Sequence, residues 1–245
     1  MSATTATKPK PKVVRKAIRK VPGVCVVYND GSIRIDDVPV SYPWVGRPQK
    51  NVNDETGVET ESYGLSAMLP KETHREAQRA CSEAIAGLEK QMTAKGKGKG
   101  GRPFKYQASK KFIKNGDAVD EDGERLFSNN PEYAGHFIVS ARSPDQPQIR
   151  GRKKDPETGK PERLTSAQAV KMIYGGSICT VLIRPWPQDN KYGIRANAEL
   201  LAVQWKAKGE PFGDQRRLDE DEIDDSMETD DDGTEGGWDD DDDLG

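Results

Sequence analysis

Apolar and polar positions change places in short runs along most of this chain, and the period lengthens convincingly only once. In "GVCVVYNDGSIRIDDVPV" (23–40) they alternate on either side of Asp30-Gly31. That dipeptide suits a tight hairpin because both central residues tolerate positive φ, so a first strand pair is predicted here. "ESYGLSAMLP" (61–70) reads as a further short strand. In "KETHREAQRACSEAIAGLEKQM" (71–92) the spacing shifts to three and four, with Ala77, Cys81, Ala84, Ile85, Leu88 and Met92 on one face. This predicts one amphipathic helix, whose other face mixes Arg75 and Arg79 with Glu76 and Glu83.

"EYAGHFIVSARS" (132–143) returns to strand, with Phe137, Val139 and Ala141 on one side and Ile138, Ser140 and Arg142 on the other. "PDQPQIRGRKKDPETGKPER" (144–163) reads as a polar loop. The stretch 171–213 predicts two long strands about a turn at Gln188 to Lys191, with Pro185 and Pro187 putting the end of the first at an edge. The expected class is mainly β. An OB-fold-like antiparallel barrel with one inserted helix fits better than a sandwich, although pattern alone leaves it one topology among several.

Charge divides the chain further. From Asp214 onward there are 17 acidic and 2 basic residues, a net of −15; the rest holds 36 basic and 24 acidic, a net of +12. A disordered acidic tail over 214–245 is therefore expected on a basic body, and a basic body attracts polyanions. The first 20 residues hold seven basic and no acidic side chains. They share features with organelle presequences, but the Lys-Pro repeat opposes a helix, so 1–21 is read as a disordered basic arm and 22–213 as the folded domain. Cys25, Cys81 and Cys179 are odd in number and far apart, which suggests neither disulfides nor a zinc pair and fits a reducing, cytosolic setting. No run is long and apolar enough for a membrane span and no signal-peptide segment is read, so no membrane partner is expected.

Enzymatic motifs are sparse, and neither an enzyme nor a cofactor or metal is expected. His74 and His136, read as a helix-surface and a strand-start histidine, have no nucleophile motif beside them. "KGKGKGG" lacks the Ser or Thr that a phosphate loop needs after its lysine. In the tail Glu228, Asp230, Asp232, Gly233 and Asp239 only approximate a calcium loop, without flanking helices. Asp117, Asp120, Glu121 and Asp122 could be drawn as a two-metal nuclease centre, but their turn-rich setting favours a solvated loop.

The segment 94–117 carries more specific chemistry. Glycines alternate with lysines, and cations then interleave with Phe104, Tyr106 and Phe112. Single-stranded nucleic acid asks for cations along its phosphates and flat faces for its bases. Lys97, Lys99, Arg102, Lys105, Lys110 and Lys111, with Arg142, Arg150, Arg152, Lys153 and Lys154, are assigned to phosphates; Tyr106, Phe112, Trp186 and Tyr192 are assigned to bases. Trp44 and Trp205 are assigned to packing.

The stretch 174–213 resembles the final hairpin of a family of phage-encoded single-stranded DNA-binding proteins, through Tyr174, Gly176, Trp186, Tyr192, Gly193, Ile194, Val203, Gln204, Gly209, Glu210 and Gly213. "SYPWVGRP", the "LPK" before the helix, "NGD" and "EYAGHFIVSARS" are similar to that family in the same order, so the resemblance covers roughly 22–213. It implies an OB-fold that coats single-stranded DNA in replication or recombination without strong sequence preference. The basic arm and the lysine-glycine loop depart from its shorter members. The acidic tail resembles those that compete for the basic groove and dock replication or recombination enzymes, with Trp238 and Leu244 as anchors and Asp239, Asp240, Asp241, Asp242 and Asp243 as steering charge. A homo-oligomer is compatible with the sequence. Two rival readings are an acidic-tailed assembly factor for basic proteins and the metal-dependent nuclease.

Overall fold

The computed structural model describes residues 14–52, 59–98, 101–191 and 193–212. The arm before residue 14, Lys99, Tyr192 and the acidic tail with Trp238 to Leu244 lie outside the described residues. The chain divides into a unit ending at Phe212 and another from Gly213 onward; the fold described here belongs to the first.

The strands are β1 (Ala17–Val21), β2 (Cys25–Tyr28), β3 (Ile33–Val52), β4 (Glu59–Pro70), β5 (Ile113–Asn115), β6 (His136–Ser143), β7 (Gln148–Lys154), β8 (Pro161–Arg163), β9 (Ile178–Asn190) and β10 (Gly193–Ala207). Helix α1 (Arg75–Ala94) lies between β4 and β5, and α2 (Ser166–Met172) between β8 and β9. Five strands close on themselves. β3 pairs antiparallel with β4 and β4 with β6, β6 runs parallel to β10, β10 pairs antiparallel with β9, and β9 returns antiparallel to β3. The expected OB-like barrel is therefore present, with one parallel pair.

Closure explains the alternation. Val38, Val40, Leu65, Ala67, Leu69, Val139, Ala141, Val181, Ile183, Ala198 and Leu200 point inward and are buried, while the residues between them point away from the barrel interior, Met68 into a second buried cluster with Tyr133 and Ile138. Helix α1 caps this core with Ala77, Ala80, Cys81, Ile85, Leu88 and Met92. At about 25 cal/mol per Å² of apolar surface, this core is the main stabilising term. All three cysteines are buried, and burial pushes the Cys81 and Cys179 thiols up to about 12, so they stay protonated.

Several expectations change. The supposed arm enters the sheet at Ala17, where β1 pairs with β2. The first hairpin forms as expected, but only Gly31 takes positive φ (78°); Asp30 instead accepts hydrogen bonds from Ser32 N and Oγ at 3.0 and 2.5 Å. The polar loop after β6 contains a β7–β8 hairpin, because Ile149 and Leu164 reach the core and β7 continues the parallel edge of β10 through Ala202↔Gln148 to Gln204↔Arg150. A second helix, α2, was also unexpected. Its capping box was there to read: Gln168 N donates to Thr165 Oγ1 (3.2 Å) and Thr165 N to Gln168 Oε1 (2.9 Å). His74 is buried rather than on the helix surface, with Nε2 2.9 Å from the Asp36 carbonyl oxygen and Nδ1 2.8 Å from Thr73 Oγ1. Pro185 and Pro187 stand where expected: β9 pairs with β3 only as far as Ile183, so both prolines lie beyond that ladder.

Two glycines make the closing contact between β9 and β10. Tyr174 Oη donates to the Gly209 carbonyl at 2.9 Å. A Cβ on Gly176 (φ 106°) would lie 1.9 Å from the Glu210 carbonyl oxygen, whereas Gly193 has a similar φ (103°) and open space. Gly193→Ala is expected to cost about 1–2 kcal/mol from backbone strain alone, and Gly176→Ala several-fold more, by urea denaturation. Equal losses would refute the close approach. Phe112→Ala is expected to cost about 3–5 kcal/mol; a loss below about 1 kcal/mol would refute its place in the core.

Candidate nucleic-acid interface

The lysine-glycine segment is not the free binding strand that its composition suggests. Tyr106 and Phe112 are 5% and 4% exposed and belong to the core. Neither ring can offer a face to a base. Tyr106 packs edge-on against Phe104, with centroids 4.8 Å apart, and burial raises its hydroxyl pKa. The cause of this placement is a buried carboxylate. Glu89 of α1 accepts from Tyr106 N at 3.2 Å and from Lys105 Nζ at 2.7 Å, and Thr93 Oγ1 accepts from Phe104 N at 2.9 Å. The loop is thus stapled to the helix, an arrangement that charge counting could not reveal.

The remaining cations separate into groups. Lys97 pairs with Asp189 at 2.9 Å, at the β9–β10 end. Arg102 is exposed, and Lys110 and Lys111 are half-buried. Lys111 bridges Ala196 of β10 and, with Lys114, lines a groove of about 260 Å³ between α1 and β5. Arg150, half-buried, donates to the Pro161 carbonyl at 3.1 Å, and Arg152, Lys153 and Lys154 are exposed on β7. Arg142 is exposed on β6. Two of the four carboxylates considered for metal are engaged in holding loops: Asp117 pairs with Lys71 at 2.6 Å and accepts from Gly135 N at 2.9 Å, and Asp120 accepts from Asp122 N and Glu124 N. Hydrogen bonding to Lys71 is the main cause holding the Asp117 carboxyl below the usual range. Among the described residues no three metal-binding side chains gather, and no helix is long and apolar enough to cross a membrane.

The strand register assembles a different site. Trp44 of β3 pairs with Gly64 of β4, Gly64 with Arg142 of β6, Arg142 with Glu199 of β10, and Glu199 with Arg184 of β9. This single outward row crosses all five barrel strands. Arg184 binds Glu199 through Nε and Nη2 at 3.0 and 2.5 Å. On the β3–β4–β6 side, a shallow groove of about 220 Å³ is lined by Tyr42, Trp44, Gln49, Ser62, Gly64, Leu65, Ser66, Ser140 and Arg142. Its floor is low because Gly64 and Ser66 of β4 and Ser140 of β6 stand between the larger side chains; Ser66 Oγ lies 3.3 Å from Ser140 Oγ. Gly64 has a packing reason. A Cβ there would stand 2.9 Å from the Ala141 carbonyl oxygen and 3.0 Å from Arg142 Cγ, so only glycine lets the Arg142 stem lie against β4.

Aromatic rings stand beside this floor. Trp44 is half-buried with the Arg47 guanidinium 5.1 Å from its ring centroid, and Tyr42 is 56% exposed. Assigning Trp44 to packing missed this; the available signal was the pair Pro43 and Pro48, which stand at irregular steps of the β3–β4 ladder and mark a bulged rim. Trp186, assigned to bases, is 42% exposed. It lies two residues beyond Arg184 on the same side of β9, opposite Asn197. The site therefore combines low polar backbone, aromatic faces and cations on the face of an OB-type barrel that commonly meets oligonucleotides.

Comparison with known proteins points the same way. No curated protein matches the chain. The model of the family described as Enterobacter phage Enc34, ssDNA-binding protein, matches residues 31–234. The single-stranded DNA-binding protein from bacteriophage Enc34, solved in complex with ssDNA, is 31% identical; the match covers 80% of this chain and 97% of that one, with a TM-score of 0.64. A C-terminal truncation of the Enc34 protein is 29% identical, with 83% of this chain and all (100%) of that one covered, and a TM-score of 0.66. With a family match over most of its length and the same barrel, this chain belongs to the Enc34 family of phage single-stranded DNA-binding proteins.

Proposed function

We propose that this protein binds single-stranded DNA, without strong sequence preference and without catalysis, in phage DNA replication or recombination. The observation that carries the reading is the groove over β3, β4 and β6, where Trp44, Gly64 and Arg142 share one row beside a serine floor. Unstacked bases gain about 1–3 kcal/mol each on aromatic faces. The duplex hides those faces, so the same groove favours single strands.

Phosphates are assigned to Arg142 and, further along the same β10 edge, to Arg150, Arg152, Lys153 and Lys154 of β7. Arg102, Lys110 and Lys111, with Trp186, would extend the path toward the β9–β10 end; Lys99 and Tyr192, outside the described residues, keep their assignments to phosphate and base from the sequence alone. Lys97 and Lys105 contribute less, because Asp189 and Glu89 already balance them. The tail from Asp214 is the docking element for replication or recombination proteins, with Trp238 and Leu244 as anchors.

Fluorescence anisotropy with a labelled dT oligonucleotide and a duplex of equal length, across a salt series, tests the reading. Wild type is expected to prefer the single strand. Trp44→Ala is expected to lose about 1–3 kcal/mol at every salt concentration. Arg142→Ala is expected to lower the slope of log K against log salt by about 0.7. Wild-type affinity and slope in both variants would move the site elsewhere.

A further inference from the structure

Ser41 of β3 pairs with Ser66 and Trp44 with Gly64, so β3 advances three residues where β4 advances two. Tyr42 and Pro43 fill this bulge. A bulge re-aims side chains beside functional surfaces, and here the re-aimed ring borders the groove.

The backbone of Tyr42 is strained. Its φ is +48°, a region that a bulky side chain rarely enters, and Pro43 restricts its neighbour further toward extended conformations. Asp37, at φ 49°, is the other non-glycine residue in that region among those described. Its short polar side chain suits it better, and its backbone N–H is 3.4 Å from Thr180 Oγ1. Glycine would occupy position 42 without strain. Core packing does not explain tyrosine there, because its side chain is more than half exposed.

The ring is also held. Asn130 Nδ2 donates to Tyr42 Oη at 2.7 Å. Asn130 sits in the turn before β6: its N–H donates to the Phe127 carbonyl and its carbonyl accepts from Tyr133 N, each at 3.0 Å. Phe127 and Tyr133 meet edge to face at 5.5 Å beneath that turn, and Tyr133 is buried.

We propose that Tyr42 is a base-stacking residue at the rim of the groove, presented by a strained bulge, and that Asn130 is the positioning residue that fixes its ring. The proposal rests on the single-stranded DNA reading and adds a residue that composition assigned no role. It predicts a trade between stability and binding that a purely structural tyrosine would not show.

Tyr42→Gly, Tyr42→Phe, Asn130→Ala and the double variant Tyr42→Gly/Asn130→Ala would be compared with wild type and Trp44→Ala, by thermal melting and by anisotropy with a dT oligonucleotide. Tyr42→Gly is expected to melt at or above the wild-type temperature, yet to bind about ten-fold more weakly. Tyr42→Phe keeps the ring and is expected to lose the same few-fold in affinity as Asn130→Ala. In the Tyr42→Gly background, Asn130→Ala is expected to cost no further affinity. Wild-type affinity for Tyr42→Gly alongside weakened Trp44→Ala would overturn the role of Tyr42 while leaving the groove. Wild-type affinity in both would overturn the groove as well. Additive losses from Tyr42→Gly and Asn130→Ala would remove Asn130 as its positioning residue.

Discussion

Closure of the β3–β4–β6–β10–β9 barrel is the constraint on which everything else depends. Once the parallel contact Glu199↔Arg142 and the antiparallel return of β9 to β3 are made, successive residues on each strand must alternate between the inside and the outside of the barrel. Burial of Val139 and Ala141 therefore turns Ser140 and Arg142 outward, and burial of Leu65 and Ala67 does the same for Gly64 and Ser66. The proposed DNA face is the outward complement of the core. It needs no dedicated motif, which explains why a search for one leads instead to the segment whose Tyr106 and Phe112 are buried.

Polar groups then decide which aromatic residues remain available. Glu89, at 6% exposure, would be costly to bury unpaired; Lys105 and the Tyr106 N–H satisfy it. The same bonds draw the aromatic part of the basic loop onto the core. On the opposite flank the β3 bulge, irregular at Pro43 and Pro48, keeps Tyr42 exposed and Trp44 partly so. Two aromatic clusters that look alike by composition thus have opposite fates, one structural and one at the surface.

The features legible in sequence were those set by local period and turn chemistry. The helix face of Ala77, Cys81, Ile85, Leu88 and Met92, the hairpin at Gly31, the paired strands β9 and β10 and the edge position of Pro185 and Pro187 all follow from such rules. Arg142 was readable because it alternates with Val139 and Ala141. What escaped depended on partners far along the chain. β7 is strand only because β10 lies beside it, β1 because β2 does, and Tyr106 is core only because Glu89 reaches it. The capping box of α2, Thr165 with Gln168, is by contrast a local signal. Gly176 and Gly209 belong to the pattern that carries the family resemblance; the structure gives them a reason, since each leaves room for backbone around the other's strand end.

Ultraviolet crosslinking of the full chain to an oligo-dT, followed by mass spectrometry of the adducts, tests the central claim most directly, because it reports where bases lie without altering a residue. Adducts are expected to concentrate at Tyr42 and Trp44 on β3, which line the groove. Adducts confined to the 101–114 segment, with the β3 peptide unmodified, would contradict it and return the site to the lysine-glycine loop.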